Sequence, residues 1–153
     1  MEFNTEQAIR DYLPDIIHMS LATCADGRPW ICEVHYVYDD ELNLYWRSLP
    51  SRRHSQEIAH NPNIAGNIIQ QHAVGEKPQG VYFEGTAEIL QGITLDDLAY
   101  KLYSERFGSG PDIIDQQADP NGNHFYKITV QKFYMFDARQ SSPAQKYELN
   151  WKD

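Results

Sequence analysis

Val81-Tyr82-Phe83-Glu84-Gly85-Thr86-Ala87-Glu88-Ile89-Leu90 is the stretch whose period decides the fold. Val81, Phe83, Gly85, Ala87 and Ile89 alternate with Tyr82, Glu84, Thr86 and Glu88, which gives a strand one apolar and one polar face. Such a strand is half-buried and belongs to an antiparallel sheet that covers a core on one side. Gly85 in its middle predicts a bulge or sharp bend, as strands that curl into a barrel require.

Further runs of the same kind lie on both sides. Asp15 to Cys24, Trp30 to Tyr38 and Leu42 to Arg47 are separated by Ala25-Asp26-Gly27-Arg28-Pro29 and Asp39-Asp40-Glu41, both turn compositions, and read as a meander. Ile64 to Gln71 and Phe125 to Asp137 are also strands in this reading. Helices are predicted for Glu2 to Leu13, with Ile9, Tyr12 and Leu13 on one face before Pro14, and for Ser51 to His60 before Asn61-Pro62. Another opens at Thr94-Leu95-Asp96-Asp97, carries a stripe of Leu95, Leu98, Ala99 and Leu102, and ends at Gly108. Ser109 to Asn123 reads as a long surface loop. Ala138 to Asp153 is too rich in apolar alternation, through Tyr147, Leu149 and Trp151, to be a free tail and is expected to dock. The sum is one domain over residues 1–153: N-terminal helix 2–13, barrel with inserted helices 15–137, docked tail 138–153. Its fold class is mainly β with peripheral helices, a small antiparallel barrel.

Composition narrows the function. Acidic residues exceed basic ones to leave a net charge of −9, which argues against nucleic acid or an anionic membrane surface as partner. No apolar run is long enough to span a bilayer, and Met1 to Glu6 has neither the basic start nor the apolar stretch of an export signal, so a cytosolic protein is expected. Cys24 and Cys32 match no zinc spacing and are expected as reduced, partly buried thiols. The six histidines, His18, His35, His54, His60, His72 and His124, include no pair at metal-motif helical spacing, so no metal site is expected. No serine stands in a nucleophile-elbow context, and no Gly-rich phosphate loop is present.

The local exception to the acidic balance is Arg47-Ser48-Leu49-Pro50-Ser51-Arg52-Arg53-His54, with three of the thirteen Lys and Arg residues. If Ser51 caps the helix, Arg52, Arg53 and His54 fill its first turn, where the macrodipole makes a cation cost roughly 0.3–1 kcal/mol. That penalty reverses when an anion such as a phosphate sits there. The alternative is a solvated turn whose arginines pair with acids such as Glu57. The nineteen aromatics include Trp30, Tyr36, Tyr45, Trp46, Tyr82 and Phe136 on strands, where they either fill core and interface or wall a flat heterocycle.

Tyr45-Trp46-Arg47-Ser48, Ser51-Arg52-Arg53-His54, Asn61-Pro62 and Gln79-Gly80-Val81-Tyr82-Phe83-Glu84-Gly85, in this order on a small antiparallel barrel, resemble the pyridoxamine 5'-phosphate oxidase-like, FMN-binding split-barrel family. The resemblance spans most of Met19 to Asp137. It implies a split β-barrel and a cytoplasmic homodimer with FMN at the subunit interface. It further implies that Arg53-His54, where the family often has Arg-Lys, grip the phosphate with Arg47, Ser48 and Arg52 around them. Trp30, Glu33, Val34 and His35 would run beside the isoalloxazine ring, Gln79 and Gly80 would reach it from the other subunit, and Phe136 would lie near it. The activity implied is a flavin-dependent oxidoreductase working between a small-molecule electron donor and acceptor, with no catalytic residue singled out. A non-catalytic FMN-binding or sensor module, or a member using haem or a deazaflavin, is the alternative; for haem, His35 or His72 would serve as axial ligand. Gln145-Lys146-Tyr147-Glu148-Leu149 departs from the oxidase, whose substrate-recognising Arg and His have no counterpart there, and the tail is similar to small uncharacterised bacterial members. His54 in place of Lys predicts a charge that depends on protonation near neutral pH.

Overall fold

A computed structural model describes residues 2–152. α1 (Thr5–Tyr12) starts at Asn4, whose side chain accepts the Gln7 N–H, and it buries Ile9 and Tyr12. A 3₁₀ turn over Leu13–Asp15 carries Pro14. The chain continues through β1 (His18–Ala25), β2 (Arg28–His35), β3 (Val37–Tyr38), β4 (Leu44–Ser48), α2 (Arg53–His60), β5 (Asn63–Ile68) and β6 (Gln79–Ile89). α3 (Leu98–Phe107), α4 (Asp112–Ala118), β7 (His124–Asp137) and β8 (Lys146–Asn150) complete it.

The strands form one antiparallel sheet in the order β2-β1-β5-β6-β7-β4-β3, with β8 also pairing β7. β7 is long enough to hold two partners along one edge: its first residues pair β4 and its later ones β8, while β6 runs along the other edge. The β6–β7 register shifts between Glu84 and Gly85, the bulge that Gly85 predicted. The reason for glycine is steric, because a Cβ there would run into the Thr129 carbonyl and the Val130 backbone.

Trp30 to Tyr38, expected as one strand, is two. Tyr36 is fully buried, gives its hydroxyl to the Leu13 carbonyl, and turns the chain from β2 at one edge of the sheet to β3 at the other. An eight-stranded sheet whose two edges are joined by one residue must curl nearly closed, and β2 and β4 face each other across the remaining split.

Within the barrel, Met19, Leu21, Tyr36, Trp46, Phe83 and Phe133 form the main core. A smaller cluster of Val37, Tyr45, Ala99, Ile113 and Phe125 lies outside it, under α3 and α4. The helix expected from Thr94 begins at Leu98. Thr94 to Asp97 is instead a turn, closed by the Asp97 carboxylate accepting from the Thr94 N–H and hydroxyl. Leu95 and Leu98 stay exposed and Ala99 packs inward, so the expected stripe is rotated. Residues 109–123 are likewise not all loop: α4 buries Ile113 and Gln117, and the Gln117 amide bridges the Leu90 carbonyl and the Phe125 N–H. The tail docks through β8 on β7. No helix among the described residues is long and apolar enough to cross a membrane.

Candidate functional site

β4 and α2 set the site. A strand points successive residues to opposite faces, so Leu44, Trp46 and Ser48 look into the barrel while Tyr45 and Arg47 look out toward α3. Arg47 therefore does not join the other arginines. Its guanidinium donates to Gln116 at 2.7 Å and lies 5.6 Å from the ring centres of both Tyr103 and Phe125. The expectation that Arg47 shares the phosphate site is corrected by this strand geometry.

Ser48 and His54 do meet. Both are buried, and Ser48 Oγ lies 2.7 Å from His54 Nε2. Burial first, and the nearby Arg52 charge second, push the imidazole below its ordinary value of 6.5. Both causes favour the neutral imidazole, whose Nε2 faces the Ser48 hydroxyl. Desolvation outweighs the neighbouring Glu57 carboxylate, which acts the other way, so the protonation dependence expected near neutral pH is displaced toward lower pH.

The helix begins one residue later than expected. Arg52, not Ser51, is the N-cap residue, and no side chain caps the first turn. The N–H groups of Arg53, His54 and Ser55 precede the first intrahelical bond, which runs from Gln56 N to the Arg52 carbonyl. Arg53 Nε donates to Glu57 Oε2 at 2.9 Å, and its guanidinium stacks over Trp30 at 4.2 Å. Glu57 Oε1 accepts from Thr23 Oγ1 at 2.6 Å, which with the Arg53 bond holds the carboxyl below its ordinary range. The pairing with Glu57 weighed from the sequence therefore exists, yet it uses one guanidinium nitrogen of Arg53. The other two, and the whole Arg52 side chain, make no hydrogen bond among the described residues.

Trp30 lies on β2, an edge strand paired through β1 alone, so one side of its backbone is unpaired by any strand among the described residues. Farther along β2, Glu33 accepts from Ser20 and lies 3.1 Å from His18 Nδ1. His18 and His35 stand directly opposite across β1 and β2, and with Glu33 and Val34 they line an open cavity of about 470 Å3. His35 also stacks on Phe107 at 4.8 Å. Sequence reasoning weighed Glu57 as a partner of the arginines but gave His18 no role, since the cross-strand pairing of His18 leaves no signal in the sequence.

Gln79, Gly80 and Phe136 form a separate group. Gly80 pairs with Phe136 and Gln79 with Asp137 at the start of β6, where Gln79 Oε1 accepts from Arg139. α2 packs near Ala87 at the far end of that strand. Eight residues at a strand's rise make that separation roughly 26 Å. No hydrogen bond or ring contact joins the Trp30 and Arg53 group to Gln79, Gly80 or Phe136 among the described residues. Cys24 and Cys32 are free and partly buried; burial, then Glu33, raises the Cys32 thiol to about 11. No cluster of three metal-ligating side chains occurs among the described residues.

A family model described as pyridoxamine 5'-phosphate oxidase matches residues 5–137. The chain belongs to that family. UPF0306 protein plu4501 of Photorhabdus laumondii subsp. laumondii is 28% identical over 102 residues, covering 66% of this chain and 71% of the relative. Two solved structures share the fold of the family: ChuZ from Campylobacter jejuni, with a TM-score of 0.77 and 18% identity, and a haem-binding protein from Mycobacterium smegmatis, with 0.76 and 17%. They cover 97% and 98% of this chain, which spans 61% and 59% of theirs. At such identity the likeness is one of fold.

Proposed function

We propose that this chain holds FMN at the interface of a homodimer and, through it, transfers a hydride between a reduced donor and a small acceptor. The observation that carries the reading is the start of α2: an uncapped helix N-terminus bearing Arg52 and Arg53, with Trp30 stacked beside it on an open sheet edge. These residues fit a flat ring with a phosphate tail. The free guanidinium nitrogens and first-turn N–H groups suit phosphate, and the unpaired backbone of β2 suits the polar edge of a ring. His54 acts through Ser48, whose hydroxyl it orients, and not as a cation.

When bound, the flavin supplies the hydride chemistry. The residues of this chain anchor the phosphate, keep Glu57 turned toward Thr23 and Arg53, and offer Trp30 as an aromatic wall. Gln79, Gly80 and Phe136 reach the same ligand only from a second copy, which is why the reading includes a dimer.

A second reading, haem in place of FMN, is supported by the haem-binding Mycobacterium smegmatis neighbour and by the two histidines lining the cavity at His18 and His35. Of the two axial candidates, His35 stands at that cavity and His72 is exposed between β5 and β6.

The visible spectrum of the purified protein separates the two, since flavin and haem bands do not overlap in form. Titration of ligand-free protein with FMN and riboflavin then tests the phosphate term: FMN binds more tightly, and equal affinity overturns the assignment at Arg52 and Arg53. Reduction of stoichiometric FMN by nicotinamide donors, compared with free FMN, distinguishes turnover from a binding module.

A further inference from the structure

Thr23 stands on β1 directly opposite Trp30 on β2, so the two side chains project from the same face of the sheet. Arg53 and Glu57 lie one turn apart on α2, which sets them side by side as well. The two pairs meet corner to corner. Trp30 carries the Arg53 guanidinium at 4.2 Å, and Thr23 Oγ1 donates to Glu57 Oε1 at 2.6 Å. The fourth side is the bond from Arg53 Nε to Glu57 Oε2 at 2.9 Å.

A carboxylate with both oxygens free commonly grips a guanidinium through two parallel hydrogen bonds. Glu57 makes only one, because its other oxygen is taken by Thr23. Thr23 is buried and the Glu57 side chain is 11% exposed, so this charge-assisted bond is short and little screened by water. The Arg53 side chain is half exposed, and its terminal nitrogens donate to no described residue.

We propose that Thr23 is a positioning residue of the anion site: by occupying Glu57 Oε1 it confines that carboxylate to Arg53 Nε and keeps the rest of the guanidinium fork open for a phosphate. The inference rests on the phosphate reading of the α2 start and adds to it a residue of β1. Without the Thr23 hydroxyl, Oε1 is released to a terminal nitrogen of Arg53, and the carboxylate then competes with the phosphate for the same donor. Riboflavin has no phosphate and does not sense the exchange.

The test is fluorescence titration of the full chain with FMN and with riboflavin. The ratio of the two affinities is the readout, since damage to the fold or to the ring slot weakens both ligands together. Thr23→Val keeps the shape and removes the hydroxyl, and it is expected to lower the preference for FMN by about tenfold, the size of one hydrogen bond to a charged group. Thr23→Ser restores the preference. In a Glu57→Gln background Thr23→Val has no further effect on the ratio, because an amide has a single acceptor oxygen and cannot form the parallel pair. A threonine that only packed would cost the same in both backgrounds. Equal affinity of the wild type for FMN and riboflavin overturns the phosphate reading and this inference with it. A wild-type preference that survives Thr23→Val, that Thr23→Ser does not restore, or that Thr23→Val lowers equally beside Glu57→Gln overturns the role of Thr23 and leaves the phosphate reading standing.

Discussion

At Arg53 two partners compete for one guanidinium: Glu57 holds Nε, and the terminal nitrogens remain for a ligand. A cation at the first helical position opposes the macrodipole, but the Glu57 pair at half-exposed geometry offsets it by a comparable amount. Arg53→Ala is therefore expected to change the stability of the ligand-free protein by less than about 1 kcal/mol while weakening FMN binding by about 1.5–3 kcal/mol. Riboflavin binding should hold, and Arg53→Lys should restore part of the loss, since a point charge lacks the fork. Chemical denaturation and fluorescence titration measure the two effects. His54 gives a separate expectation. Its folded value lies below the unfolded 6.5, so the unfolded chain binds more protons between the two. Stability is then full above 6.5, falls as pH drops through that window, and levels off below the folded value. His54→Gln removes the slope; denaturation midpoints across that pH range decide it. The arginine density was legible in the sequence because charge contrast needs no geometry. The fates of Arg47 and His54 depend on which face of β4 each meets. The two-residue period already separated Arg47 from Ser48, whereas the burial of His54 needed the barrel.

The hairpin of β3 and β4 shows how an element is fixed by one side chain. Asp39 is buried, and its carboxylate accepts from the Glu41 and Asn43 N–H groups, the Asn43 amide and the Tyr45 hydroxyl. Burial works to raise its pKa, but these donors together outweigh it and hold it below 3.8. Asp39→Ala strands several buried donors and is expected to cost about 2–4 kcal/mol, measured by urea denaturation. In the wild type the contribution is present above 3.8 and is lost as pH falls through the depressed folded value. From the sequence, Asp39-Asp40-Glu41 was visible as a turn, but not as a carboxylate that organises both strands. β6 was the most legible element, since alternation and Gly85 reported both its faces and its bulge. α4 was hidden for the converse reason: Gln117 serves the core through its amide, and a polar residue that replaces an apolar one breaks the periodic signal.

For the molecule as a whole, the fold leaves β2 at an edge with Trp30 41% and Ile31 59% exposed on successive faces. A long apolar edge strand invites pairing or burial, and natural proteins seldom leave one bare. The barrel could be read from the order of strands and turns and its split from the family resemblance, while the part of Tyr36, which carries the chain from one sheet edge to the other, could not. That same split leaves the β2 edge open beside α2, and within one chain β1 and β5 stand between it and the strand that carries Gln79 and Gly80. If a second copy covers β2, assembly and FMN binding are one equilibrium, so a change that blocks one must remove the other. Ile31→Lys places a charge on that edge without touching the core, because the side chain is already more than half exposed. Light scattering is expected to give twice the mass of one chain for the wild type and the mass of one chain for Ile31→Lys. The unfolding midpoint of the ligand-free variant at high dilution should match that of the wild type, and its FMN affinity should fall even though Arg52, Arg53 and Trp30 are intact. A wild-type monomer that binds FMN at full affinity would sink the shared site, and a dimeric Ile31→Lys would move the interface away from β2.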